Sequence, residues 1–265
     1  MNPKLLHPAT GEGQAEDSTL SNRQEEARRR LEGDGGPLLF ADWIDAAFLH
    51  YEADPDRLQE FVPWPLDLRE GRALISLVAF TMRRFRSARG GRATAWATAP
   101  IATQPLLNLR TYVRGVHGPG IFFMREWIDH PFAAALGPPT FGLPYRRARH
   151  SWRSRREEVS GTIRAGGAAG GFSGRLAGAE RIALAGSLDE FLLERYTAYT
   201  AGGFRPLSFR VWHEPWHFRT LEMESSTMDA FLRHLRQPWT EGLRFAGAVF
   251  SEGVRDVWMG WPRFA

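Results

Sequence analysis

Three observations predict one β-rich α+β domain: a closed or conical antiparallel β-barrel with a few short flanking helices. Most of the chain beyond residue 37 reads as runs of alternating polarity, while helical periodicity is confined to short stretches. No repeat or linker divides these runs, and 265 residues is a length that large all-β folds reach as one unit. Ten tryptophans and eighteen phenylalanines, within 43% hydrophobic residues, supply a substantial aromatic core. So many strands need their edges closed, which favours a barrel over an open sheet.

Residues 1–36 are polar and Gly-rich and read as a flexible N-terminal segment ahead of the domain at 37–265. Within it, the charged stretch Arg23 to Glu32 can form a transient helix with i,i+4 Glu–Arg pairs. The aromatic pattern begins at Trp43, Ile44, Phe48 and Leu49. Asp54 opens a short helix that ends at Val62-Pro63-Trp64-Pro65, because proline cannot continue it. Ala73 to Met82 is a β run. Leu106 to Arg114 alternates more informatively: Leu107, Leu109, Thr111 and Val113 share one face, and Asn108, Arg110, Tyr112 and Arg114 the other. Gly115 to Gly118 turns the chain, and Ile121 to Trp127 returns as a hairpin partner.

Asp129 can cap a helix through Leu136, with Pro131 in its first turn and Gly137-Pro138-Pro139 ending it. Arg149 to Val159 and Phe172 to Leu176 read as strands flanking a Gly/Ala loop at 166–171. Ser187 and Glu190 form a capping box before another helix. Leu207 to Glu224 is extended, Ser226 to Arg236 is an amphipathic helix, and Leu243 to Phe250 and Val254 to Trp258 are the last strands.

Composition excludes several chemistries. The 34 Lys+Arg residues include a single lysine, Lys4, so no amine beyond Lys4 and the N-terminus can form a Schiff base. No lysine is available for a phosphate-binding loop either. The absence of cysteine removes disulfides, thiol nucleophiles and thiolate-bound metal. Neither a signal peptide nor a membrane-spanning run is evident, so a cytoplasmic, bacterial-type protein without a membrane partner is the expectation. No cofactor motif is found, since no G-x-G-x-x-G follows a strand and Gly171-Phe172-Ser173-Gly174 is one residue off a nucleophile elbow. The acidic pairs Glu157-Glu158 and Asp54/Asp56 read as surface or capping groups.

His213-Glu214-Pro215-Trp216-His217 spells the zinc-protease signature H-E-x-x-H. That motif needs a helix, which brings both imidazoles to one face. Here Pro215 interrupts it and the flanks alternate as a strand, on which residues four apart lie about 13 Å from each other. No metal is expected. Six arginines between Arg146 and Arg156 offer a grip for nucleic-acid phosphates. The net charge of only +4 and the lack of a recognisable module argue instead for a solvated strand.

The polar face of 106–114 carries the functional argument. In a barrel one face points inward. If the apolar face packs on outer elements, Arg110 sits in a cavity and needs a carboxylate from the protein or from a ligand.

Six ordered segments resemble the YqjF-like family of uncharacterised bacterial proteins, which is similar in fold to acetoacetate decarboxylase. They are Phe48-Leu49-His50-Tyr51, Leu109-Arg110-Thr111-Tyr112-Val113, Gly118-Pro119-Gly120-Ile121-Phe122-Phe123, Phe141 through Ala148, Leu193-Glu194-Arg195-Tyr196 and His213-Glu214-Pro215-Trp216. The resemblance implies an acetoacetate decarboxylase-like β-barrel over 37–265 with its site inside. In the decarboxylases a Gly-x-Pro precedes two lysines, the first of which forms the Schiff base. The corresponding stretch here is Gly142-Leu143-Pro144 followed by Tyr145 and Arg146. The resemblance therefore implies the pocket and denies the known reaction, since phenol and guanidinium form no iminium.

Taken together, these residues point to a small anionic, carboxylate-bearing molecule as the partner. Arg110 and Arg146 would pair with the anion, Tyr112, Tyr145 and Asn108 would hydrogen-bond, and Trp216, His50 and His213 would shape the wall. A lysine-independent lyase or hydrolase using His or Tyr as acid–base in the same pocket is the enzyme alternative. An interaction protein using the Arg146–Arg156 strand is the third, and a homo-oligomer is compatible with each.

Overall fold

The computed structural model describes residues 11–90 and 99–265; Lys4, with the rest of the first ten residues, lies outside them. The strands are β1 (Pro37–Ala53), β2 (Ala73–Ser87), β3 (Gln104–Gly115), β4 (Gly118–Ile128), β5 (Tyr145–Arg147), β6 (Arg149–Arg155) and β7 (Glu158–Ala165). They continue as β8 (Ala168–Arg181), β9 (Thr197–Thr200), β10 (Leu207–Trp212), β11 (Phe218–Ser226), β12 (Arg244–Gly260) and β13 (Arg263–Phe264). The helices are α1 (Gly11–Gly33), α2 (Pro55–Phe61), α3 (Pro131–Phe141), α4 (Leu188–Leu193) and α5 (Met228–Arg233). The fold is β-rich α+β.

One sheet takes in every strand of the described residues. Its order runs β10–β9–β4–β3–β2–β1–β12, and β12 also pairs with β10 through Val211↔Met259 and Trp212↔Trp258. The path of backbone pairing therefore returns to its start. Beyond β12 the sheet continues as β11–β8–β7–β6, and β6 lies back against β1, β2 and β3. The pairing is not all antiparallel as expected, because β4 takes both β5 and β9 in parallel. Both strands reach β4 through long connections that include a helix, which is what parallel neighbours require.

The alternation of β3 fixes which side is which. Leu107, Leu109 and Val113 join one buried cluster with Leu49, Ile75, Leu77, Trp127, Phe231 and Trp239. That cluster is covered by α5 and the folded-back strands. The opposite face contributes to a second cluster around Phe48, Val78, Phe80, Phe123, Phe209 and Trp216. Burying side chains of this size stabilises by about 1.5–3 kcal/mol each relative to exposure.

Several local expectations are corrected. The lead-in is the helix α1, with i,i+4 pairs Arg29–Glu25 and Arg30–Glu26, both 2.7 Å. It is docked rather than loose: Leu31 is fully buried, Arg23 meets Glu190, and the Arg28 guanidinium lies 4.8 Å over the Trp258 ring at the β10–β12 seam. Helix α3 runs through Pro138 and Pro139 to Phe141, capped by Gly142 in the left-handed region at φ 64°. Gly137, without a Cβ, relieves the clash that normally bars a helical residue before proline. The Gly/Ala stretch is mostly strand, since only Gly166 and Gly167, both at positive φ, make the β7–β8 turn. β12 is a single strand, bulged between Val254 and Val257, where Asp256 takes φ 49°, and a Cβ on Gly253 would meet Trp43 O at 2.2 Å.

A polar cavity as the candidate functional site

The face of β3 that carries Asn108 and Arg110 looks into a cavity of about 90 Å³. Glu126, Tyr145, Arg195 and His213 complete its polar lining, and Phe48, Phe80, Phe209 and Trp216 are among its apolar walls. Strand pairing places the first of these side by side. Asn108 opposes Glu126 across β3–β4, and Glu126 opposes Tyr145 across β4–β5.

Arg110 is 8% exposed. Its Nη2 donates to Leu192 O at 3.0 Å and its guanidinium lies 5.5 Å over the Phe48 ring. Its Nε has no partner, and no carboxylate pairs with it among the described residues. Asn108 Oδ1 and Glu126 Oε2, in the same lining, are likewise buried without partners. Native proteins rarely leave buried polar atoms unbonded, because each costs on the order of 1–3 kcal/mol. Three of these atoms lie around this one cavity.

The charges are set by burial. Glu126 has its carboxyl pushed up to about 8 by desolvation alone. The Tyr145 phenol is held well above 10, first by burial and then by the neighbouring Glu126 charge. His213 is lowered to about 4, chiefly by burial and further by Arg110, against an opposing hydrogen bond to Glu214 O. That bond, 2.7 Å from Nδ1 to a carbonyl that can only accept, places the proton on Nδ1. At neutral pH Nε2 is then a bare acceptor.

The expected site residues divide into three groups. Asn108, Arg110, Tyr145, His213 and Trp216 line the cavity together. His50 and Tyr112 stand behind the wall. His50 Nδ1 meets Ser76 Oγ at 2.7 Å, Ser76 Oγ meets the Tyr112 hydroxyl at 2.6 Å, and that hydroxyl donates to Leu192 O at 3.0 Å. This buried chain anchors the same carbonyl that Arg110 uses. His50 is lowered to about 3 by burial and then by Arg110. Arg146 is outside: strand alternation turns it away from Tyr145 to an exposed surface beside Arg125.

Glu126 and Arg195 were not anticipated. Arg195 Nη1 pairs with Asp67 at 2.8 Å, and its guanidinium lies 4.1 Å over Phe191. Residues 213–217 are not helical; His213 is buried while His217 is exposed and faces Glu180 at 3.5 Å. No group of metal-ligating side chains occurs among the described residues. On β6 the arginines 149, 153 and 155 are exposed and alternate with half-buried His150, Trp152 and Ser154, the pattern of a solvated edge strand. No helix among the described residues is long and apolar enough to cross a membrane.

Comparison with known proteins agrees with this architecture. A family model described as "Uncharacterized conserved protein" matches residues 41–254. The uncharacterized protein YqjF of Bacillus subtilis is 31% identical over 199 residues, which is 73% of this chain and 80% of that protein. An acetoacetate decarboxylase-like enzyme from Sphingomonas wittichii superposes with a TM-score of 0.61 at 14% identity, over 86% of this chain and 93% of the other. The enduracididine biosynthesis enzyme MppR in complex with pyruvate gives 0.58 at 14% identity, over 86% and 90%. At such identities the two structures share the fold.

Proposed function

We propose that this chain, which belongs to the DUF2071 family of uncharacterized conserved proteins, binds a small carboxylate-type anion inside a closed, conical barrel. Arg110 carries the reading: a guanidinium 8% exposed, with no carboxylate paired to it among the described residues, needs a negative charge from elsewhere. Arg110 Nε supplies a further unused donor for a carboxylate. The cavity volume of about 90 Å³ corresponds to roughly three waters at ~30 Å³ each. A ligand of about four to six heavy atoms, such as a two- to four-carbon acid, fits that space. MppR, of similar fold, holds pyruvate. The decarboxylase reaction is not part of the proposal, because the resemblance puts Tyr145 at the Schiff-base position and the only lysine in the sequence is Lys4.

Thermal unfolding tests this. Acetate, propionate and pyruvate should raise Tm, while acetamide, of the same shape but uncharged, should not. At a ligand concentration of 100 Kd the stabilisation is about 2.7 kcal/mol. Arg110→Met should abolish the shift. A panel of small anions without effect on the folded protein would remove the proposal, and incubation with each ligand followed by product analysis separates turnover from binding.

A further inference from the structure

The carboxyl group in this cavity has a consequence of its own. Among the described residues Glu126 is the only acidic one in the lining; it is 4% exposed and its Oε2 has no partner there. We propose that Glu126 makes the cavity a proton-linked anion site, in which a univalent anion enters beside Arg110 together with a proton held on Glu126. This rests on the binding reading above and adds the valence of the ligand and its coupling to pH.

Facing Glu126 from β3 are Asn108 and the cationic Arg110; from β5, Tyr145; across the cavity, Arg195 and His213. On its own strand Arg125 is turned to the outer surface with Arg146. Arg195 already has Asp67 as its counter-charge. His213 and Tyr145 are neutral near pH 7, the first because burial lowers its pKa and the second because burial raises it. Two groups therefore decide the balance. With Glu126 ionised, the cavity already holds one negative charge, and a second in about 90 Å³ meets repulsion. With Glu126 neutral, Arg110 is uncompensated and one negative charge completes the site. The neutral carboxyl also donates an O–H into the cavity, a hydrogen bond that an ionised carboxylate cannot give. Glu126, pushed up to about 8 by burial, is protonated at neutral pH before the ligand arrives. A dianion such as malonate lacks a second cation and should bind poorly at every pH.

The test is calorimetric titration of the full chain with acetate, pyruvate and malonate from pH 6.5 to 9.5. The expected result is monoanion affinity that is flat below about pH 7.5 and falls about tenfold per pH unit well above 8, with malonate weak throughout. Near pH 9, repeating the titration in phosphate and Tris buffers should count close to one proton taken up per anion. Glu126→Gln, a neutral near-isostere, should lose both the pH dependence and the proton uptake, whatever affinity it shows at pH 6.5. Glu194 is held at about 7 by burial and reaches the cavity wall through the Trp216 N–H. Glu194→Gln should leave the profile unchanged. Flat affinity across the range, no proton uptake by the wild-type protein, or a profile flattened by Glu194→Gln instead would each overturn the proposal. Loss of all anion binding at pH 6.5 has a different signature: it defeats the underlying site as well.

Discussion

Arg110 and Arg195 line the same cavity, and the fold treats them in opposite ways. Arg195 is stacked on Phe191, donates to Phe191 O at 2.7 Å and pairs with Asp67, which also binds Arg114 at 2.8 Å. Its Nε, its Nη1 and its flat face are all engaged by protein. Arg110 has one carbonyl, one aromatic face and an idle Nε. The two arginines are told apart by their partners, because both are buried to nearly the same degree.

Breaking the compensated side should produce the largest effect. Asp67 is 5% exposed and bridges two guanidiniums, so Asp67→Ala leaves Arg195 buried without its counter-charge. Removing one partner of a buried pair costs about 3–5 kcal/mol. Urea unfolding should record a loss of that order; a loss within 0.5 kcal/mol, roughly what surface changes give, would mean that Arg195 is not held by this pair.

Glu126 is the acidic counterpart of Arg110, and pH reads it. Its folded value, about 8, lies above the ordinary 4.5. Between those values the folded state binds more protons than the unfolded chain, so stability falls as pH rises through that window. Glu194, raised to about 7 by burial, acts in the same direction up to its own value. His213, lowered from 6.5 to about 4, acts oppositely by removing stability as pH drops through that interval. Glu126→Gln should flatten the decline between pH 7 and 8, where the slope it removes is at most about 1.4 kcal/mol per pH unit. An unchanged slope would show the carboxyl to be ionised in the folded protein.

Much of the wall was legible from alternation alone. The two faces of β3 fall as Leu107, Leu109 and Val113 against Asn108 and Arg110 demand, and the helix caps at Asp54 and Ser187 form as their side chains require. Glu126 was not legible, for a definite reason. Counting by twos from Ile121 and Phe123 puts Arg125 inside and Glu126 outside. A register shift opposite Leu109 and Arg110 reverses the parity, so that Glu126 faces the cavity and Arg125 the surface. Arg195 escaped because it follows α4 rather than lying on a strand, and Arg146 was misplaced because adjacent residues on β5 cannot share a face. Docking of α1 depends on Leu31 and Arg28, two residues in an otherwise charged stretch, too few to register as an amphipathic pattern.

Gly137 tests the cavity's shape without touching a charge. Its φ is not positive, so alanine meets only steric costs, one of them the clash of a helical Cβ with the following proline. A Cβ there would nevertheless meet Tyr145 Cε2 at 2.1 Å and Cδ2 at 2.5 Å. Gly137→Ala must displace the Tyr145 ring or the helix, at a cost of about 1–3 kcal/mol. Anion affinity should change with it, because the ring forms part of the lining. A variant with wild-type stability and affinity would place Tyr145 outside the binding geometry.

Arg110→Met should have the smallest effect on stability and the most informative. It replaces an uncompensated buried charge by an apolar chain of similar length, and such exchanges are neutral or favourable. The lost hydrogen bond to Leu192 O is covered by the Tyr112 hydroxyl, which donates to the same oxygen. The expected change in unfolding free energy is within about 1 kcal/mol, against the several lost at Asp67. Two imidazoles report the removed charge independently: Arg110 helps to lower both His50 and His213, so their titrations should move up while burial keeps both below 6.5. A loss comparable to Asp67→Ala would mean that Arg110 is structural after all, and the distinction between the two arginines would be void.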